Sequence, residues 1–180
     1  IEIAYERFGD PGAPPVLLIM GLGAQMIAWH DDFCAALASQ RLHVIRFDNR
    51  DVGLSTHIAN APAPNFAAAM AGDPSSAAYT LSDMAGDTVG LLDALDITSA
   101  HLVGASMGGF ISQTIAIEHP TRVRSLTSIM STTGNPELPP PNPEALAILI
   151  SPAPMDRAGA IEHGVQMFRT IGSPGALFEE

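Results

Sequence analysis

The sequence predicts an α/β fold in which a mostly parallel sheet carries helices on both faces. Three observations predict it. Short apolar runs alternate with stretches of helical periodicity, in the order strand, helix, strand, helix, strand, helix, strand. The run from Val16 to Met20 is apolar throughout, as in strands buried on both faces. A glycine-rich segment, Gly104 to Gly109, joins an apolar strand directly to a helix.

The elements follow in order. Ile3 to Phe8 alternates loosely and stops at the turn Gly9-Asp10-Pro11-Gly12, which makes it the first strand. Val16 to Met20 is the second, closed by Gly21. A helix is expected from Trp29 to Ser39, with Phe33, Ala36 and Leu37 at helical spacing. His43 to Phe47 is the next strand, and Asp48 to Ser55 the polar turn beyond it. Thr56 to Tyr79 holds Pro, Ala, Asn and Gly without periodicity and reads as a long loop. Thr80 with Asp83 three residues on forms a capping-box signal, Asp standing for the usual Glu or Gln. The helix it opens keeps Leu81, Met84, Ala85, Thr88, Leu92 and Leu95 in phase and runs to about Ala94. Ala100 to Gly104 is a strand, Met107 to Glu118 a helix stopped by His119-Pro120, and Val123 to Met130 another strand.

The pattern changes at Ser131. Pro139-Pro140-Pro141 is stiff and extended, and two helical stretches follow, Pro143 to Ile150 and Asp156 to Thr170. They do not continue the strand–helix rhythm. The expected organisation is a core over 1–131 and a cap or lid inserted over the sheet, 132–180 and incomplete.

A chain of 180 residues can bury a real core. Its net charge of -11 repels phosphate backbones and anionic membranes, which argues against nucleic-acid and membrane partners. No apolar run reaches the length of a membrane span. The single cysteine, Cys34, rules out an internal disulfide framework and a cysteine-rich metal site, and fits a reducing, cytoplasmic setting. Cys34 is expected in the core. His30-Asp31-Asp32 reads as a solvated helix start, not a metal site, because acids favour that end. His57 and His101 are expected to be surface or structural. Asp48 and Arg50 are expected to brace their turn by an ion pair.

The chemistry centres on Gly104-Ala105-Ser106-Met107-Gly108-Gly109, which matches G-x-S-x-G between a strand and a helix. The turn is so tight that residues two before and two after the serine meet, and glycines alone fit there. Ser106 is thereby forced into a strained backbone conformation with its hydroxyl above the sheet edge, as a nucleophile requires. The Met107 amide, at the helix N-terminus, points where an oxyanion would form. The competing reading is a glycine-rich turn whose serine caps the helix.

At these residues the chain resembles the α/β-hydrolase family, over nearly its whole length. Met20-Gly21-Leu22-Gly23 stands where many members carry His-Gly-x, and Asp48 to Ser55 resembles their D-x-R-G-x-G-x-S turn with Asp51 replacing the first glycine. Both turns are most similar to the branch of aclacinomycin methylesterase-like ester hydrolases. The resemblance implies a serine hydrolase, most simply a carboxylic-ester hydrolase working through an acyl-enzyme on Ser106. It implies the Leu22 amide as second oxyanion donor, with Gly21 and Gly23 letting the backbone approach substrate; a loop without a role is the alternative. A dinucleotide loop fails because Met26 stands at the third position of G-x-G-x-x-G. Met26 and Trp29 are candidate pocket residues, with a core role equally open. No cofactor or metal is implied, and the partner is expected to be a small-molecule ester substrate, apolar and of medium or bulky size.

The family's triad continues from Ser to Asp or Glu and then His. Downstream of Ser106 the only histidines are His119, at the far end of the helix Ser106 opens, and His163, in the cap. Ser131 to Asn135 holds no carboxylate. The triad acid and base are therefore expected beyond Glu180, in a longer natural chain. A carbon–carbon bond hydrolase, thioesterase, lactonase or perhydrolase on the same scaffold stays open, and so does a non-catalytic binding protein if the chain ends at Glu180.

Overall fold

A computed structural model describes residues 1–59, 65, 68, 73–135, 137–152 and 154–172. Much of the loop expected between Thr56 and Tyr79 lies outside the described residues, as do 136, 153 and 173–180 of the expected cap. Five strands form one sheet: β1 (Tyr5–Phe8), β2 (Pro15–Ile19), β3 (His43–Phe47), β4 (Ala100–Ala105) and β5 (Val123–Ile129). Their spatial order is β1-β3-β2-β4-β5, with β1 antiparallel to β3 and the other neighbours parallel. β2 and β3 are buried at every residue: β2 is a continuous apolar run between two parallel neighbours, whereas β3 also buries His43 and Arg46.

Helices cover both faces. On one, α2 (Leu81–Ala94) and α3 (Met107–Glu118) pack Met84, Ala85, Leu91, Leu92, Ile111 and Ile115 against Leu17, Ile19, Ile45, Phe47 and Leu102. The α2 start follows from its cap: the Thr80 side chain accepts from the Asp83 amide while Asp83 accepts from the Thr80 amide. On the other face, Trp29 and α1 (Asp31–Ser39) close over Val16, Leu18, Val44 and Ala105.

Two expectations need correction here. α1 begins at Asp31, because Met26–Ala28 forms a 3-10 turn and Trp29 is drawn into the core. Its inward side carries the buried Cys34 and the part-buried Leu37 and Ala38; Cys34 and Leu37 face the core as expected, whereas Phe33 and Ala36 are exposed. Phe33 instead stacks on Trp29 from outside, ring centroids 5.6 Å apart. Arg50 does not pair with Asp48. It forms a two-pronged ion pair with Asp87 of α2, at 2.6 and 2.7 Å, and lies 4.9 Å over the Tyr79 ring.

Under α1, the buried Arg46 bridges Glu6, opposite it on β1, and Asp31, in the first turn of α1. Asp31 is thus a helix-start acid with a structural partner.

The chain divides into two compact units, Ile1–Gly134 and Asn135–Glu180. The second contains α4 (Pro143–Ile150), capped by the Asn142 side chain, and α5 (Arg157–Ile171), capped by Asp156. Among the described residues no helix is long and apolar enough to cross a membrane.

Candidate active site

The end of β4 turns into α3 at a single residue. Ser106 has φ 54° and ψ -120°, a region of backbone space that a side chain makes costly, on the order of 1–3 kcal/mol. Two backbone hydrogen bonds hold it there: the Ser106 amide donates to the Ile129 carbonyl of β5 (2.8 Å), and the Gly109 amide donates to the Ser106 carbonyl (2.9 Å). Packing does the rest. A Cβ on Gly104 would run into the Gly108 carbonyl and lie 2.5 Å from Ser112 Oγ. A Cβ on Gly108 would run into the Ile19 carbonyl oxygen, 2.7 Å from its carbon, and lie 2.9 Å from the Met20 oxygen. The helix start therefore sits against both its own strand and β2, and only glycine allows either approach.

Beyond β2, Gly21 is buried against the serine: a Cβ there would lie 3.0 Å from Ser106 Cβ and 3.4 Å from its Oγ. Leu22 and Gly23 follow as the exposed tip of the loop, with Gly23 at φ 66° and the Ala24 amide closing a turn onto the Gly21 carbonyl (3.3 Å). The structure thus brings Gly21 alongside Ser106, the residue that opens α3, whose first amides have no partner within the helix. Met26 and Trp29 are both buried; Trp29 belongs to the smaller core cluster, and Met26 donates its amide to Asp48.

The turn after β3 supports this loop. Asp48, 2% exposed, accepts from the Met26 amide (2.7 Å) and the Leu54 amide (2.9 Å). Asn49, also 2% exposed, donates from Nδ2 to the Met20 carbonyl (3.0 Å). Asp51 explains its departure from the glycine of the motif. It sits at φ 63°, which Asp tolerates better than most residues, and its carboxylate accepts from the Ile58 amide at 2.6 Å. Burial, with a further hydrogen bond to Asp51, pushes the Tyr79 phenol up to about 12. Sequence reading missed the part played by Asn49; its place inside the D-x-R turn was the one available signal.

The remaining histidines are placed by their own elements. His119 caps the C-terminus of α3, a 12-residue helix and so ~18 Å from the Ser106 end. His163 lies within α5 of the second unit. His57 Nε2 is 3.2 Å from the Gly53 carbonyl, and His101 Nδ1 is 2.7 Å from Ser125 Oγ on the neighbouring strand.

With this geometry in place, sequence comparison is decisive. The pattern of the α/β-hydrolase fold matches residues 14–154. The chain belongs to the α/β-hydrolase fold family. It is 33% identical over 130 residues to rhodomycin D methylesterase DauP of Streptomyces sp. strain C5, covering 72% of this chain and 39% of that protein. To rhodomycin D methylesterase DnrP of Streptomyces peucetius it is 28% identical over 199 aligned positions, covering 99% and 62%. Among solved structures, it is similar to a carboxylesterase from the ammonia-oxidising thaumarchaeon Nitrososphaera gargenis, with a TM-score of 0.60 at 25% identity over 72% of this chain and 42% of that one. The chain thus spans less than two thirds of the length of each of these relatives.

Proposed function

We propose that this α/β hydrolase is a carboxylic-ester hydrolase whose nucleophile is Ser106. In the proposed reaction Ser106 Oγ attacks the ester carbonyl and its proton passes to a general base, the histidine that the family's triad order implies, which returns it to the leaving alcohol. The carbonyl oxygen, now negative, is met by the Met107 and Leu22 amides. Collapse expels the alcohol and leaves an acyl-enzyme, which water then cleaves to the acid, restoring Ser106.

The observation that carries this reading is the Ser106 backbone. A serine serving only as a helix cap takes an extended backbone and accepts an amide of the helix with its side chain. Ser106 does neither: its φ is positive and its side chain caps nothing. Esterases among the relatives support the ester as substrate class. Within the second unit, Leu149, Ile150, Ile161 and Phe168 are exposed on α4 and α5. This is the basis for reading that unit as the family's cap.

The test is covalent labelling with a fluorophosphonate, followed by peptide mapping. Wild-type protein is expected to carry the label on Ser106 and Ser106→Ala to carry none. Equal labelling of the two would remove the nucleophile reading. A panel of p-nitrophenyl esters of increasing acyl length then ranks substrates, with longer acyl chains expected to be preferred.

A further inference from the structure

We propose that Asn49 and Asp48 are positioning residues, a two-point clamp that aims the Leu22 amide at the Ser106 site. The proposal rests on the reading of Leu22 as an oxyanion donor. The loop from Met20 to Met26 leaves the sheet at β2 and has an exposed, glycine-flanked tip; Leu22 is 56% exposed. Such a tip has much conformational freedom to lose. A donor in it is useful only if the loop is ordered before substrate arrives.

The clamp comes from the neighbouring strand. β3 runs parallel to β2 with Arg46 level with Leu18, so Asp48 and Asn49 emerge beside Met20 and Gly21. Asn49 Nδ2 holds the Met20 carbonyl at one end of the loop, and Asp48 Oδ1 holds the Met26 amide at the other. The Met20 carbonyl and the Gly21 nitrogen share one planar peptide. Only the two backbone torsions of Gly21 separate that pinned plane from the plane carrying the Leu22 N–H. Gly21 is itself packed against Ser106. Asp48 is seated in turn by the Leu54 amide and by Gly53, whose φ is 55° and whose Cβ would lie 2.5 Å from Asp48 Cγ.

The test follows loop order and site reactivity separately, on the full chain. Asn49→Asp keeps the side-chain shape but replaces the donor with a carboxylate oxygen facing a carbonyl. Asn49→Ala removes the group, and Gly53→Ala displaces Asp48 from the other end of the clamp. Each is expected to speed amide hydrogen exchange in the 20–26 peptide by tenfold or more. Each is also expected to slow fluorophosphonate labelling of Ser106 by tenfold or more, given that ~1 Å of misplacement can cost about 10²-fold. Thr88→Ala deletes a buried hydrogen bond in α2 remote from the loop, and should change both by less than twofold. Unchanged exchange in 20–26 in the folded Asn49 and Gly53 variants overturns the clamp. Faster exchange with unchanged labelling overturns its role in aiming the donor. Equal labelling of wild type and Ser106→Ala would instead fault the nucleophile assignment, while the exchange data still decide whether Asn49 and Asp48 hold the loop.

Discussion

Gly108→Ala should separate the site's geometry from the stability of the fold. The added Cβ falls 2.7 Å from the Ile19 carbonyl carbon, where ordinary contact begins at 3.4 Å, and closer still to the oxygen. The start of α3 or the end of β2 must therefore move by at least ~0.7 Å, since both obstacles are backbone. Overpacking of this kind costs about 1–3 kcal/mol. That corresponds to a fall in Tm of roughly 3–10 °C, readable from the fluorescence of Trp29, the one tryptophan and a core residue of the same unit. The displacement also parts Met107 and Ser106 from the Gly21–Leu22 segment, and at ~10²-fold per ångström the labelling of Ser106 should slow by tens of fold. The matched control is Gly90→Ala on α2, where a Cβ meets nothing within 4 Å. A Gly108→Ala protein that labels as fast as wild type at the wild-type Tm would refute the reasoning, because a carbonyl cannot share that space with a methyl group.

Further outcomes follow from single contacts. Gly90→Ala, in an exposed helix interior, should raise stability by ~0.5–1 kcal/mol, seen as a higher denaturant midpoint. Thr80→Ala removes the acceptor of the α2 capping box and should cost about 1 kcal/mol by the same measurement. Burial, aided by Arg7 and opposed by Asp10, lowers the pKa of His43 below its ordinary 6.5. The unfolded chain therefore takes up that proton first, so the stability it contributes is present above pH 6.5 and is lost as pH falls towards the folded-state value. Urea midpoints between pH 8 and 5 should show this slope, and His43→Gln should flatten it. Burial also raises the pKa of Cys34, so its thiol should resist a disulfide reagent until the protein is unfolded.

The elements that sequence predicted well are those with local signals. α2 starts where Thr80 and Asp83 cap it and ends at Ala94, and α3 spans Met107–Glu118 between the glycine turn and Pro120. β2 declares itself because a strand buried on both faces tolerates few polar residues. The misses are non-local. α1 starts at Asp31 because a 3-10 turn upstream, whose Met26 amide reaches Asp48, takes up residues just before it. The partner of Arg50 lies 37 residues away on α2, at a distance in sequence that no local pattern encodes. Asn49 occupies a variable position of its motif, and its bond to the Met20 carbonyl exists only because β2 and β3 are neighbours.

The same long-range contacts explain how a strained serine persists. The Ser106 backbone costs on the order of 1–3 kcal/mol, and each hydrogen bond to its own amide and carbonyl returns only about 0.5–1.5 kcal/mol net. Local bonding therefore offsets the strain only narrowly. The surplus comes from three strands and a helix meeting at one point: β5 through Ile129, β2 through Ile19 and the Gly21 just beyond it, β4 through Gly104, and α3 through Gly108. Most of these contacts involve backbone atoms, the carbonyls of Ile129, Ile19, Ala105 and Gly108 among them, which side-chain repacking cannot replace. Relaxing Ser106 to an ordinary conformation would require several strand ends to move together. The strain is therefore held by the strand ends acting together and not by any one contact.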